Sequence, residues 1–147
     1  MSSNEVILNN GSQAIINYST DKLLLRDNKF IDATYTNSTG SDVVITVGQL
    51  FGRIAATGLI VPLTSAATDG SQYPLGLAMK NVTVPDTESI SLRLVVGGEV
   101  AKELISFDGT DDFDTDVEDK TLGDRIMSDT LGLLPVAGTE LTGTDNQ

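Results

Sequence analysis

The sequence contains no cysteine, no histidine and no tryptophan among its 147 residues. Without cysteine, the fold cannot use disulfide bonds or thiolate metal sites, and it has no Cys nucleophile. Without histidine, no side chain has an unperturbed pKa near neutrality, and neither a Ser-His-Asp triad nor an imidazole metal ligand can form. The absence of both residues therefore excludes most of the catalytic arrangements that hydrolases and metalloenzymes use. We expect a protein that is not an enzyme and that needs no cofactor and no metal.

Aromatic residues and positive charges are also scarce. Aromatics make up 5% of the chain against 39% hydrophobic residues, so the core must be aliphatic. Nine Lys and Arg face 21 Asp and Glu, and the formal net charge of −12 repels phosphate backbones. The first residues lack the basic and apolar segments of a signal peptide, and no run approaches 18 apolar residues. We expect a protein made in the cytoplasm, without a nucleic-acid or membrane partner.

Residues 41–107 show the alternation that is typical of half-buried strands. Apolar side chains at every second position predict two such strands, namely Val43, Ile45 and Val47 in the first, and Ile90, Leu92, Leu94 and Val96 in the second. Val82 and Val84 flank Thr83 before Pro85, which predicts a third strand. Glycines punctuate this region at intervals that suit tight turns. The pattern predicts a mainly β protein, with a small β-barrel or sandwich as the core at 41–107.

Residues 1–40 are polar but carry short apolar clusters at 6–8, 14–16 and 23–25. Asn10-Gly11 lies between the first two clusters and favours a tight hairpin turn. An extended arm that becomes ordered only on a partner is equally consistent with this composition. The two interpretations of residues 1–40, a small hairpin or an N-terminal arm, stay open.

Residues 108–147 form an acidic loop, a short helix and a tail, which we expect to pack on the same single domain. Seven carboxylates occur within residues 108–119. Thr121 followed by Asp124 resembles a capping box, which predicts one helix near 122–131 with Gly132 as its C-terminal cap. The tail from Pro135 onward is predicted to be loop or disorder.

The acidic run is the only local cluster of functional side chains, and its spacing does not favour a metal. An EF-hand loop needs glycine at its sixth position and glutamate at its twelfth, whereas here Gly109 is second and Asp119 is twelfth. A hydrated, self-repelling loop is the favoured interpretation. A carboxylate-dependent hydrolase is the weakest alternative, because the chain lacks the aromatic platforms of a sugar cleft and any nucleophile motif.

Four segments together resemble lambda-type bacteriophage head decoration proteins. They are residues 48–58 (GQLFGRIAATG), 61–63 (VPL), 69–77 (DGSQYPLGL) and 98–100 (GEV). Glycines and small polar residues dominate, and their combined spacing within residues 41–107 carries the resemblance. The turn residues that define this pattern, called the signature turns below, are Gly52, Gly58, Asp69, Gly70, Ser71, Gly76 and Gly98. Gly97-Gly98 is interpreted as a turn between two strands.

The resemblance implies a β-tulip type of fold and a structural role. It implies a cement protein that binds the exterior of an expanded phage head, as a homotrimer at local threefold positions, with the major capsid protein as partner. The localisation implied is the exterior of the virion capsid. The alternative that stays open is a phage head-fibre or adhesion module that binds host-surface glycans, with the acidic loop and tail as its recognition end.

Overall fold

The computed structural model describes residues 23–129 and 132–137, and the apolar clusters at 6–8 and 14–16 lie outside these residues. The described residues form ten strands: β1 (Leu24–Thr36), β2 (Val43–Ile45), β3 (Leu50–Arg53), β4 (Ile60–Pro62), β5 (Pro74–Ala78), β6 (Val82–Val84), β7 (Ser89–Ala101), β8 (Asp116–Val117), β9 (Lys120–Thr121) and β10 (Gly132–Val136). A 3-10 turn at Lys102–Leu104 comes directly after β7. The expectation of a mainly β fold is confirmed.

Two 13-residue strands, β1 and β7, form the longest pairing of the fold. They run antiparallel, with Ile31 opposite Leu94 and Tyr35 opposite Ile90. The register shifts between Leu24 and Phe30, where Asp27 (φ 56°) and Gly98 (φ 91°) both adopt left-handed conformations. Extra residues in such bulges bend the strand and increase its twist. Because β1 pairs along its length, the ordered β-structure begins well before residue 41.

The main sheet has six strands in the order β1-β4-β3-β5-β7-β10, and β1 also pairs with β7. The sheet therefore closes on itself, although the β1–β4 closure involves the single parallel pair Tyr35–Ile60. Two small sheets, β2–β6 and β8–β9, complete the described fold. The predicted strands around Val43–Val47, Val82–Val84 and Ile90–Val96 correspond to β2, β6 and the centre of β7.

The core consists of two aliphatic clusters. One contains Leu92, Leu94 and Tyr35 from the long strands, with Phe51, Ile60 and the β2–β6 sheet packed on them. The other cluster includes Leu23, the first described residue, and combines side chains from both halves of the sequence. Its buried members are Leu23, Leu50, Leu63, Leu77, Val95, Val100, Ile105, Val117, Leu122, Ile126 and Leu133. The segment after residue 107 is thus part of the core.

The predicted C-terminal helix is confirmed, but the segment after it differs from expectation. The helix begins as α1 (Leu122–Asp124), capped by the Thr121 hydroxyl, which accepts from the backbone N–H of Asp124. It continues as a π-helical segment at Arg125–Asp129. Gly132 and Pro135 then lie in β10, which pairs parallel to β7. The prediction of a C-cap at Gly132 and of loop at Pro135 was wrong because Leu133 enters the core beside β7.

Candidate functional site

The signature turns at Gly58 and Asp69–Ser71 pack against each other. Gly58 (φ 76°) ends the turn between β3 and β4, and its N–H donates to the Ile54 carbonyl at 2.8 Å. The Ala55 N–H donates across to the Asp69 carbonyl at 2.8 Å. Positive φ is a conformation that glycine adopts without strain. The spacing between the two sequence segments therefore reflects a direct backbone contact between two loops.

Asp69 organises the second of these loops. Its Oδ1 accepts from the Ser71 hydroxyl at 2.6 Å and from the Ser71 N–H at 3.0 Å, as in an Asx turn. Gly70 between them has φ 102°. The hydrogen bonds from Ser71 stabilise the ionised carboxylate and lower the pKa of Asp69 below its usual value.

Gly52, Gly76 and Gly98 lie within strands, so the interpretation of these three residues as turns is corrected. A Cβ at position 52 would lie 2.1 Å from the Ser71 backbone oxygen, and one at position 76 would lie 2.9 Å from the Leu94 Cβ. Gly98 lies in the β7 bulge, where a Cβ would lie 2.4 Å from the Asp27 oxygen. Gly97-Gly98 likewise continues β7. These glycines are needed where two backbones approach closely, a constraint that sequence alone did not separate from a turn.

The acidic run at 108–119 is folded against the rest of the molecule. Asp111 accepts from the Ser65 N–H at 2.8 Å and from the Ser65 hydroxyl at 2.7 Å, which ties the run to the loop after β4. Phe113 packs edge-on against Phe107 at 5.0 Å, and Lys102 Nζ lies 5.1 Å from its ring centroid. The run ends in the β8–β9 hairpin. Most carboxylates of the run are exposed, which is typical of a hydrated loop, while Asp111 and Phe113 anchor the run to the rest of the fold.

Arg125 holds the β8–β9 hairpin on the core. It is only 5% exposed, and its Nη2 and Nε donate to the Val117 carbonyl at 2.8 Å and 3.2 Å. Its guanidinium also lies 5.0 Å from the centroid of the Tyr73 ring. The Tyr73 hydroxyl donates to Glu118, which raises the pKa of Tyr73. The sequence did not indicate a role for Arg125, because its contact with Val117 depends on the β8–β9 hairpin, which the acidic composition of that segment does not predict.

The exposed face of the long strands carries two cross-strand ion pairs. Arg26 Nη2 lies 2.6 Å from Glu99 Oε2, and Arg93 Nε donates to Asp32 Oδ1 at 2.9 Å. The Arg93 hydrogen bond lowers the pKa of Asp32. Exposed pairs of this kind contribute little to stability. In both pairs the two residues lie directly opposite each other in the β1–β7 register.

Two kinds of site were sought among the described residues, a metal site and a membrane-spanning helix. Within 23–129 and 132–137, no group of three or more Asp, Glu, His or Cys is arranged to hold a metal ion. In the same part of the chain, no helix is long and apolar enough to cross a membrane.

Comparison with known proteins agrees with the resemblance and extends it over a longer part of the sequence. The model of the bacteriophage lambda head decoration protein D family matches residues 12–124. The match takes in all four signature segments, and it also includes β1 and the acidic run, both outside the region on which the sequence resemblance was based. No curated protein matches the sequence significantly. Because the family match covers well over half of the chain, the protein belongs to the bacteriophage lambda head decoration protein D family and has a structural role in capsid decoration.

Proposed function

We propose that the protein binds the exterior of an expanded phage head as a homotrimer at local threefold positions and cements the shell. Its partner is the major capsid protein of the head, and it is made in the host cytoplasm before it joins the virion. The single observation that carries the proposal is the family match over residues 12–124, which spans the strands from β1 to β9 and the start of the helix. Threefold symmetry gives each subunit an equivalent foothold on the lattice.

Cementing of this kind follows from mass action. A ligand that binds the expanded lattice and not its dissociated subunits stabilises the lattice by its binding free energy. Linking three subunits makes the second and third contacts intramolecular, so the trimer binds far more tightly than one subunit. No covalent chemistry is required, and the absence of His and Cys costs the protein nothing in this role.

The segment before Leu23 supplies a candidate foothold. Leu23, the first residue that the structure describes, is fully buried in the core. The preceding residues include the apolar clusters at 6–8 and 14–16. A polar arm with short apolar runs can add a strand to an exposed sheet edge of a partner, where backbone hydrogen bonds give affinity. We assign this role to residues 1–20.

Cosedimentation with expanded and unexpanded phage capsids tests the proposal directly. We expect saturable binding to expanded capsids, weak binding to unexpanded ones, and greater resistance of the decorated shell to heat. Light scattering after gel filtration then gives the oligomeric state. Absence of binding to any expanded capsid of its own phage contradicts the proposal. Glycan binding without capsid binding favours the head-fibre or adhesion module instead.

Deletion of residues 1–20 tests the arm separately. We expect this variant to keep the melting temperature of the full chain, because the described core begins at Leu23, and to lose capsid binding. Deletion of residues 138–147 is the matched control and should leave capsid binding intact. Unchanged binding after deletion of 1–20 would contradict this role and place the capsid contact within residues 21–147.

A further inference from the structure

Phe30 on β1 is an aromatic side chain that the fold leaves exposed. It is 41% exposed, whereas the other aromatic rings in residues 23–129 and 132–137 are buried or half-buried. Lys29, directly before it, is also exposed and forms no ion pair with any residue of these ranges. Aromatic residues are enriched in protein interfaces, where they bury a large apolar area. An exposed ring beside an unpaired cation therefore indicates a contact surface.

A shallow groove of about 210 Å³ lies where the acidic run, the C-terminal helix and β10 meet. Three apolar and three charged side chains line it, namely Phe113, Met127, Pro135, Lys102, Asp114 and Asp124. Met127 is 45% exposed there. A cavity of about 150 Å³ is large enough to hold benzene, so the groove has room for one aromatic ring. Because its carboxylates outnumber its cation, the groove suits an aromatic side chain that has a positive charge beside it.

We propose that Phe30 of one subunit inserts into this groove on a second copy of the chain, with Lys29 beside the exposed Asp114. The inference rests on the proposed homotrimer, and it names the two surfaces that form it. The chain carries 21 acidic residues against nine basic ones, so most pairs of its surfaces repel each other. Around Phe30 a cation is left over, so a carboxylate of another copy meets attraction there instead of repulsion.

The two surfaces lie on different parts of the subunit. Phe30 lies opposite Val95 in the centre of β7. Pro135 of the groove lies opposite Val100 near the end of the same strand. A rise of about 3.3 Å per residue places these positions on the order of 15 Å apart along β7. A contact between two different surfaces can repeat around a ring, and with one third of a turn per contact a closed trimer uses every Phe30 and every groove.

Disulfide cross-linking tests the contact, because the natural chain contains no cysteine. We expect coexpressed Phe30→Cys and Met127→Cys chains to cross-link on the order of tenfold faster than either variant alone. A chain that carries both substitutions should give covalent trimers on a non-reducing gel. Val44→Cys replaces Phe30→Cys in the control, because Val44 is also exposed, and should cross-link no faster than the single variants. Equal rates in the mixture and in the single variants would overturn the proposal, as would covalent dimers as the end product of the double variant.

Charge reversal tests the pair from Lys29 to Asp114. We expect Lys29→Glu and Asp114→Lys each to weaken trimer association on the order of tenfold, measured by light scattering over a range of concentrations. The chain with both substitutions should regain association, because the pair is restored with its charges exchanged. Lys80→Glu reverses another exposed cation and should leave association unchanged. Losses that simply add in the double variant would overturn the proposal.

Capsid binding separates this inference from the proposed function. If the free chain is a monomer, the cross-linking is carried out on decorated expanded capsids, where neighbouring subunits are held together. Capsid binding that persists without cross-links between Phe30→Cys and Met127→Cys, in solution and on the shell, would overturn this inference alone. Cross-linked trimers in solution that bind no capsid would support the contact and overturn the proposed function.

Discussion

Close backbone contact explains why glycine stands at position 52. A Cβ there would overlap the Ser71 carbonyl oxygen, which belongs to backbone and cannot rotate away. We expect Gly52→Ala to lower the free energy of unfolding by about 3 kcal/mol, as overpacking does in dense interiors. Gly58→Ala is the control, because a Cβ at position 58 would meet no atom within 4 Å. The only penalty is the positive φ that alanine would have to adopt, so we expect this variant to lower the free energy of unfolding by about 1 kcal/mol. Urea denaturation of both variants measures the difference, and equal losses would contradict the steric explanation.

Thr87 adopts a conformation that β-branched residues avoid. It lies in the exposed turn between β6 and β7 with φ 69°, and its N–H donates to the Asn37 carbonyl at 2.9 Å. Asparagine tolerates this left-handed region much better than threonine. We expect Thr87→Asn to stabilise the protein by about 1 kcal/mol, measured as a higher urea midpoint at unchanged slope. Thr68→Asn, another exposed loop substitution, should be neutral; a stabilisation of equal size there would contradict the argument.

At the scale of elements, periodicity predicted the strands whose burial is one-sided. The alternation around Ile90–Val96 located the centre of β7, and the pattern at Val82–Val84 located β6. β1 also contains the alternation Ile31, Ala33 and Tyr35, but a polar surrounding sequence concealed it. β10 was not predictable, because Gly132 and Pro135 favour a loop locally and only the parallel pairing with distant β7 makes them a strand.

In the candidate site too, contacts between neighbours in sequence were predictable and contacts between distant residues were not. The turn at Asp69–Ser71 follows from local chemistry, because Asp69 Oδ1 accepts from the N–H and the hydroxyl of nearby Ser71. The role of Gly52 depends on a neighbour 19 positions away in sequence, and the contact from Arg125 to Val117 depends on the β8–β9 hairpin. Long-range contacts of this kind have no signature in one sequence. Composition therefore indicated an acidic loop but not the β8–β9 hairpin in which it ends.

Arg125 is expected to stabilise one element, the β8–β9 hairpin, more than the whole fold. Replacing a buried cation relieves its desolvation, but Arg125→Met leaves the buried Val117 carbonyl without its donor, at about 2 kcal/mol. We expect the largest rise in amide exchange at 116–121. Arg53→Met removes an exposed arginine and serves as the control. Uniform acceleration of exchange over all strands would show instead that the contact supports the global fold.

For the whole molecule, charge and the missing histidine determine how stability depends on pH. The folded-state pKa values of Asp32 and Asp69 are lowered, by Arg93 and by Ser71 respectively. Each carboxylate therefore contributes stability above its unfolded pKa of about 4, and that contribution is lost as the pH falls through the lower folded value. The pKa of Tyr73 is raised by Glu118, and that of Tyr35 by burial. Their contribution is complete below an unfolded pKa of about 10 and is lost as the pH rises through the folded values.

No side-chain type in this sequence has an unperturbed pKa between those of the carboxyl groups and those of the tyrosines and lysines, because the sequence contains neither histidine nor cysteine. We therefore expect the free energy of unfolding to be nearly constant from about pH 5 to pH 8 and to fall on both sides. Urea denaturation across pH 3 to 11, at fixed ionic strength because exposed pairs are screened by salt, measures the profile. Asp32→Asn should weaken the acid limb and Tyr73→Phe the alkaline limb, each leaving the plateau flat. A step in stability near pH 6.5 would contradict this account, since it would require a strongly displaced carboxyl pKa that neither Asp32 nor Asp69 provides.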